Sequence, residues 1–291
     1  MTQDFAGQTK SFTINSSGGQ RDYLLYLPAN YNANKEQPLL IAYHGAGSSP
    51  EEIQNQTGYS GGDVNKDMVV AYPRGIKVPP TCHSLPSRVH YHTDSSQASW
   101  QGASYSQPGV SDKVFTTDLV NELKANYCID TSRVYATGLS QGGGFIGTLA
   151  CSPGHGGQFA ALAAVEGAMY TDATPDAPCT PARQPMAILD IHSTEDEVVP
   201  YYGGVGQGGP LPAIAEWMVL WAKRNGCGEN TTEELDEGIK HFTWNCCGQD
   251  KVLQHYMTKA PWHAWEGKGI NTSSVVYDFL SSHTLGEGGQ K

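Results

Sequence analysis

The sequence predicts an α/β fold, in which a mostly parallel central sheet is covered by helices on both faces. Short apolar runs that end in turn residues recur along the chain, and stretches with helical spacing lie between them. Most of these runs are continuously apolar, which is typical of strands buried on both faces. The 291 residues suffice for one such domain. We therefore expect a single domain over residues 1–291, ordered from about residue 10 to residue 285.

The first element is a run of alternating character. Residues 21–27 (RDYLLYL) stop at Pro28, which predicts an edge strand or a hairpin arm. Four later runs predict the buried parallel strands: residues 38–45, 68–73, 133–138 and 186–193. Residues 159–165 (FAALAAV) predict a further strand, although their alanines also suit a helix.

Helices are expected between these strands. Residues 116–126 and 211–224 carry apolar side chains at steps of three and four, which predicts two amphipathic helices. Residues 243–257 suggest a hairpin, and residues 273–283 a terminal helix. The stretch 76–112 is rich in Pro, Ser, Gly and His and lacks periodicity. We interpret it as a long loop on the substrate side of the fold.

Charge and composition exclude several classes of protein. The formal charge is −11 and no block of Lys or Arg is present, so nucleic acid is not an expected partner. No apolar run reaches the roughly 18 residues of a membrane span. The start, MTQDFAGQTK, lacks the apolar segment of a secretory signal, and we expect that any export signal has been removed.

The seven cysteines lack the paired spacing of zinc ligands, so we expect no metal site and instead disulfides formed in an oxidising compartment. Proximity along the chain suggests three bonds and one spare thiol: Cys151–Cys179, Cys227 with Cys246 or Cys247 (we select Cys247), and Cys82–Cys128. Glycosylation sequons begin at Asn15, Asn55, Asn230 and Asn271. We therefore expect a secreted, extracellular glycoprotein that functions as a monomer.

A nucleophile motif follows one of the predicted strands. Residues 138–142 (GLSQG) match G-x-S-x-G, come directly after RVYAT, and lead into a helix-like segment. This strand, turn and helix order predicts a sharp turn that exposes the Ser140 hydroxyl and directs the amide of Gln141 toward a developing oxyanion. The alternative is a glycine-rich turn that only packs a helix closely on a strand.

A serine nucleophile needs a base and an orienting carboxylate, in the order Ser, acid, His for an α/β-hydrolase. Asp196 lies in the loop after a predicted strand, whereas Asp190 lies inside that strand, so we select Asp196. His263 lies in a turn between two tryptophans and is our candidate base. His255, in the predicted hairpin, is the alternative.

The second oxyanion donor is expected in the loop after an early strand. The sequence HGAG places small residues there, so that the backbone can approach a substrate. The amide of Ala46 is the expected donor. His44 precedes Ser140 by 96 residues, and we expect it to support the loop rather than to act as a base.

These segments resemble a known family. Four of them are similar to segments of fungal feruloyl esterases of carbohydrate esterase family 1: AYHGAGSS, YATGLSQGGGF, HSTEDEVVPYYGG and WHAWEG. This family also includes acetylxylan esterases and polyhydroxybutyrate depolymerases. The resemblance extends from about residue 10 to residue 285. It implies the three-layer α/β-hydrolase sandwich without a large lid domain, and Ser140, Asp196 and His263 as the triad. The mechanism requires no metal or organic cofactor.

The resemblance also implies a substrate and a pocket. It places the loop with Trp100 over the active site, so Trp100 is the first candidate for substrate binding, followed by Trp262, Trp265 and Tyr201. The expected activity is hydrolysis of feruloyl (hydroxycinnamoyl) esters of plant cell-wall polysaccharides such as xylan, through an acyl-enzyme. Alternatives are an acetylxylan esterase, a polyhydroxybutyrate depolymerase, and a non-catalytic glycan-binding protein on a hydrolase scaffold.

Overall fold

The computed structural model of the chain describes residues 5–77, 98–174, 176 and 178–286. Its strands are β1 (Thr9–Ser16), β2 (Gly19–Tyr26), β3 (Gln37–Tyr43), β4 (Val69–Pro73), β5 (Ile76–Lys77), β6 (Ala98–Ser99), β7 (Ile129–Leu139), β8 (Ala161–Val165), β9 (Ala187–Ser193), β10 (Gly204–Gly206), β11 (Gly209–Leu211), β12 (Cys227–Glu234), β13 (Lys240–Cys246) and β14 (Gln249–Thr258). Its α-helices are α1 (Pro50–Thr57), α2 (Asp112–Asn126), α3 (Gln141–Ala150), α4 (Pro153–Gly156), α5 (Ile214–Arg224) and α6 (Thr272–Ser281).

Ten strands form one sheet in the order β1-β2-β4-β3-β7-β8-β9-β14-β13-β12. The six strands from β4 to β14 in this order are parallel, and an antiparallel pair extends the sheet at each side. Every residue of β3, β8 and β9 is buried, which requires cover on both faces of the sheet. The predicted α/β class with a mostly parallel sheet is confirmed. No helix in the described part of the chain is long and apolar enough to span a bilayer.

Local sequence explains where the flanking helices begin and end. Ser49 caps α1 by accepting a hydrogen bond from the amide of Glu52, and Pro50 occupies the first turn. Gly58 ends α1 in the left-handed region, at φ 64°. Ser111 caps α2 in the same way, so this helix begins four residues before the predicted stretch 116–126.

Some elements differ from the sequence-based expectation. Residues 21–27 do form a hairpin arm, β2, but the edge strand is β1, in which no residue is buried and the apolar signal is weak. The predicted hairpin is present as β13 and β14, and the polar strand β12 extends it. Much of the predicted loop 76–112 lies outside the described residues, whereas its last residue already belongs to α2.

The disulfides confirm one pairing and correct another. Cys151 is bonded to Cys179 as predicted. Cys227 is bonded to Cys246 and not to Cys247, because Cys227 and Cys246 are direct partners in the β12–β13 register. Cys247 begins the turn after β13 at φ 53° and is an exposed free thiol. The expected Cys82–Cys128 bond involves Cys82, which lies outside the described residues.

Candidate active site

The candidate residues follow the carboxyl ends of neighbouring parallel strands. His44 comes directly after β3, Ser140 after β7 and Glu166 after β8, while Asp196 and His263 lie in the loops that follow β9 and β14. The carboxyl ends of parallel strands meet at one edge of a sheet, and open α/β sheets bind ligands outside that edge. The five residues therefore share one edge.

Ser140 has a backbone conformation that few non-glycine residues adopt. Its φ is 58° and its ψ is −121°, at the junction of β7 and α3. The surrounding backbone fixes this geometry, since the Ser140 amide donates to the Val165 carbonyl at 2.9 Å and the Ser140 carbonyl accepts from the amides of Gly144 and Ala168. The strand, turn and helix order of the nucleophile motif is thus present. The hydrogen bonds to neighbouring backbone groups stabilise the strained conformation of Ser140.

Two glycines allow the segments around Ser140 to approach one another. A Cβ on Gly142 would overlap the carbonyl oxygens of Tyr43 and His44 at the end of β3. A Cβ on Gly45 would lie 3.3 Å from the Ser140 Cβ and 3.8 Å from its Oγ. The loop after β3 therefore lies directly against the serine, as an oxyanion loop requires.

His263 and Asp196 form a short hydrogen bond. The Nδ1 of His263 donates to the Oδ2 of Asp196 at 2.6 Å, across 67 residues of sequence. The Asp196 side chain is fully buried, whereas that of His263 is 14% exposed. Its Nε2 makes no hydrogen bond to a described residue, so the ring is oriented from the Nδ1 side and the other nitrogen is available for a proton.

Asp196 is kept ionised by its partners. Its Oδ1 accepts hydrogen bonds from the amides of Val198 at 2.8 Å and Val199 at 2.9 Å. Burial by itself would raise the pKa of Asp196, but the interactions with His263, Glu166 and the Val199 amide lower it to about 2. The carboxylate is therefore a stable anion that fixes one tautomer of the imidazole.

The backbone amides of Ala46 and Gln141 donate to no described acceptor. Gln141 is the first residue of α3, where an amide has no intrahelical partner. The Gln141 side chain points away and bonds the backbone of Trp100 in both directions, at 3.1 Å and 2.7 Å. Neither amide is engaged by another group among the described residues, so both stay candidate oxyanion donors.

His44 supports the oxyanion loop, as expected. Its Nδ1 donates to the Gly45 carbonyl at 2.7 Å, and its Nε2 accepts from the Gly75 amide at 3.0 Å. Burial lowers the pKa of His44 to about 4, although the Gly45 carbonyl opposes this effect. The ring is neutral, and both of its nitrogens are engaged in holding the loop.

The structure encloses Trp100, our first candidate for substrate contact, which favours a supporting role for this residue. Its side chain has no solvent exposure, and its Nε1 donates to the His44 carbonyl at 2.8 Å. Its ring packs edge-on against Tyr43 and stacks on Phe145. The Trp100 indole thus packs against the end of β3 and against α3, and it contacts the start of the oxyanion loop.

The other aromatic candidates divide into buried and exposed side chains. Trp265 is buried and donates to the Ser273 hydroxyl, and Tyr201 is buried with its hydroxyl 2.9 Å from the Nε2 of His255. Both side chains are enclosed by protein atoms, and their contact with a substrate stays a prediction. Trp262 remains a candidate, since its side chain is 47% exposed next to His263.

His255, the alternative base, belongs to a separate buried group. Its Nδ1 lies 2.9 Å from the Oδ2 of Asp190, and its Nε2 contacts the Tyr201 hydroxyl. Both ring nitrogens thus have neighbours, and neither is available to a serine. Strand β14 places this histidine opposite Asp190 on β9, inside the sheet rather than at its edge.

Three potential metal-ligand atoms lie within 4.8 Å of one another on Glu166, His192 and Asp196. Protein groups already use these atoms. The Nε2 of His192 donates to the Val199 carbonyl at 2.9 Å, and Asp196 accepts the bonds described above. The three side chains therefore belong to a network of polar contacts that the sequence did not predict. The only sequence signal for this network is that Glu166 is the first polar residue after a buried strand.

A strained serine beside two free amides, with a His–Asp pair at the same sheet edge, is the arrangement of the α/β-hydrolase class of esterases. Solved esterases share the fold. The acetyl xylan esterase from Aspergillus awamori matches with a TM-score of 0.61 at 15% identity, covering 93% of this chain and 99% of that one. The ferulic acid esterase from Anaeromyces mucronatus matches with a TM-score of 0.57 at 16% identity, covering 95% and 90%.

The chain is similar in sequence to proteins named as feruloyl esterases. It is 28% identical to probable feruloyl esterase C of Aspergillus clavatus, over 76% of this chain and 67% of that protein. It is 32% identical to feruloyl esterase D of Neurospora crassa, over 66% of this chain and 58% of that protein. It is 27% identical to feruloyl esterase B of Piromyces equi, over 80% of this chain and 40% of that protein. The chain thus spans between two fifths and two thirds of the lengths of these relatives. No family model matches it.

Proposed function

We propose that this protein is a serine esterase that hydrolyses feruloyl and related hydroxycinnamoyl esters of plant cell-wall polysaccharides. The observation that carries the proposal is the 2.6 Å bond between His263 and Asp196 at the sheet edge where the strained Ser140 lies. Relatives named as feruloyl esterases, aligned over most of this chain, support the choice of substrate.

In the first half of the reaction the Ser140 Oγ attacks the ester carbonyl. The Nε2 of His263 takes the serine proton and passes it to the departing sugar oxygen. Asp196 holds the Nδ1 proton, and its negative charge stabilises the imidazolium that forms. The first product is the released sugar alcohol, with the acyl group bonded to Ser140.

The Ala46 and Gln141 amides stabilise the charge that develops on the carbonyl oxygen. Each such donor accounts for roughly a hundredfold to a thousandfold in rate in enzymes of this type. In the second half, His263 activates water, which attacks the acyl-enzyme through a second tetrahedral intermediate. Free acid is released and Ser140 regains its proton.

Two exposed apolar side chains are candidates for contact with the aromatic acyl group. Trp262 adjoins His263 in sequence, and Val198, which is 51% exposed, lies two residues after Asp196. An aromatic acid requires an apolar platform, whereas a neutral polysaccharide requires little charge. Charged residues form only 16% of the chain, which agrees with a neutral glycan partner.

Acetylxylan is the second candidate substrate. A bifunctional acetylxylan esterase/xylanase of Neocallimastix patriciarum is 25% identical to this chain, over 92% of this chain and 34% of that protein. An acetyl group needs no aromatic platform, so the two substrates differ in their dependence on Trp262. Comparison of kcat/KM on methyl ferulate and acetylated xylan, for wild type and Trp262→Ala, separates these activities. A hydroxybutyrate oligomer serves as a third substrate in the same assay.

The proposal is tested with Ser140→Ala, with Ser281→Ala as the matched control because Ser281 is exposed on α6. We expect the Ser140 variant to lose at least about a thousandfold in kcat, and the control to equal wild type. A loss below about tenfold would disprove the nucleophile. Binding to polysaccharide without turnover of any of the three esters would indicate a glycan-binding protein instead.

We also propose that the protein is secreted, glycosylated and monomeric. Two disulfides support an oxidising compartment. The asparagines of all four sequons are exposed, although Asn271 also caps α6 by accepting from the Ser274 amide. Mass spectrometry before and after glycosidase treatment tests glycosylation, and light scattering tests the monomer. Asn271 is expected to be the least modified of the four sites.

A further inference from the structure

A cluster of buried carboxyl groups lies behind the His263–Asp196 pair. Glu166 after β8, Asp190 on β9 and Asp196 are each at most 5% exposed. Among the described residues, no Lys or Arg forms an ion pair with any of them. Holding several like charges together in an apolar interior is costly, which favours protonation of one of these carboxyl groups.

The histidines nearby do not supply the missing positive charge to Glu166. The Nε2 of His192 donates its proton to the Val199 carbonyl at 2.9 Å and lies farther, 3.3 Å, from the Oε2 of Glu166. Burial lowers the pKa of His192, so this ring is neutral near pH 7. His255 lies against Asp190. Glu166 therefore faces carboxyl groups and the neutral ring of His192.

The backbone holds Glu166 in place at some cost. Its φ is 47°, in the left-handed region that non-glycine residues seldom adopt. Both carboxyl oxygens lie near the Ser193 amide, at 3.1 and 3.0 Å, and the Glu166 amide donates to the Ile191 carbonyl at 2.8 Å. Strain of this kind persists where the surroundings determine the conformation, and it is often found at functional sites.

We propose that Glu166 is a positioning residue that carries a proton in the active enzyme and donates a hydrogen bond from that neutral carboxyl group to Asp196. This inference rests on the proposed function, since it concerns the carboxylate that orients His263. A carboxylate oxygen of Asp196 and one of Glu166 lie within 4.8 Å of each other, as ligand atoms of one cluster.

The electrostatics of the two groups agree with this assignment. Burial, followed by the interaction with Asp196, raises the pKa of Glu166 well above its ordinary range. The hydrogen bond from Glu166 is also among the causes of the low pKa of Asp196. The proton between the two groups thus resides on Glu166, so that Glu166 is neutral and Asp196 is the anion. A bond from Glu166 withdraws charge from Asp196 and limits how strongly it stabilises protonated His263.

The test uses Glu166→Gln and Glu166→Ala, with Glu197→Gln as the matched control because Glu197 is exposed in the loop that holds Asp196. The glutamine amide can donate to Asp196 and its oxygen can accept from the Ser193 amide. We expect Glu166→Gln to keep kcat within about threefold of wild type, and the acidic limb of kcat/KM against pH to stay in place. Glu166→Ala should lower kcat at least tenfold with little change in KM, and move that limb to higher pH.

An ionised Glu166 predicts the opposite direction. Loss of its negative charge in either variant would then move the acidic limb to lower pH, and this result would overturn the proposal. Wild-type kinetics in Glu166→Ala would overturn it as well. Infrared spectroscopy gives a readout independent of activity and of the alanine variant: the carbonyl stretch of a protonated carboxylic acid should be present in wild type and absent in Glu166→Gln. If Ser140→Ala stays active, the proposed function fails, whereas the infrared result still decides the state of Glu166.

Discussion

Replacement of Trp100 by Phe separates a structural role of this residue from contact with the substrate. The variant keeps most of the ring but removes the Nε1 donor, which leaves the buried His44 carbonyl unpaired. An unsatisfied buried acceptor costs about 1–3 kcal/mol, and the smaller ring adds a cavity penalty of about 1 kcal/mol. We expect the free energy of unfolding, measured by urea denaturation, to fall by about 2–4 kcal/mol.

The kinetic consequence follows from the position of the oxyanion loop. If the loop shifts, the Ala46 amide is misplaced, and we expect kcat on methyl ferulate to fall about tenfold. KM should change little, because the Trp100 side chain is not exposed to a ligand. Trp262→Phe is the matched control, since Trp262 is half exposed, and its stability should stay within about 0.5 kcal/mol of wild type. If Trp100→Phe kept full stability and raised KM, our assignment would be refuted and Trp100 would be a substrate contact.

Three further predictions concern residues around the site and the disulfide. The folded-state pKa of His44 is about 4 and its ordinary value is 6.5, so the unfolded chain binds more protons between these pH values. The free energy of unfolding therefore falls as the pH drops from 7 to 4. In His44→Gln this fall, measured by urea denaturation at pH 7 and pH 4, should be smaller than in wild type by up to about 3 kcal/mol. Gly142→Ala should reduce kcat about a hundredfold, because the new Cβ overlaps the end of β3, and an active variant would contradict the close approach. Cys227→Ser should lower the free energy of unfolding, measured by thermal or urea denaturation, by about 2–4 kcal/mol, whereas Cys247→Ser should leave it unchanged. A larger loss in Cys247→Ser than in Cys227→Ser would disprove the Cys227–Cys246 bond.

The elements that the sequence predicts well are those with a strong apolar signal. The strands β3, β4, β8 and β9 are buried over their whole length, are mostly apolar, and fall within a few residues of the predicted runs. Strand β12, CGENTTEE, has no such signal, because it lies at a sheet edge and its pairing with β13 depends on backbone hydrogen bonds and a disulfide. Polar edge strands of this kind are determined by their neighbours rather than by their own residues.

The candidate site shows the same division. Ser140, Asp196 and His263 were selectable because the chemistry restricts residue type, chain order and position after strands. The role of Trp100 could not be chosen in this way, since an aromatic side chain that contacts a substrate and one that packs under a loop have the same sequence signature. Cys246 and Cys247 are adjacent, and only the register of β13 decides which of them faces Cys227. Glu166 was missed because its importance depends on contacts with residues 27 and 30 positions away.

The way in which the site is assembled also affects how the chain folds. Each reactive group follows a different strand, and the contact between His263 and Asp196 joins positions 67 residues apart. No local segment contains two members of the triad. Contacts between distant residues form only after a long loop has closed, with its entropic cost. During refolding from urea, esterase activity should therefore return after the helical circular dichroism signal.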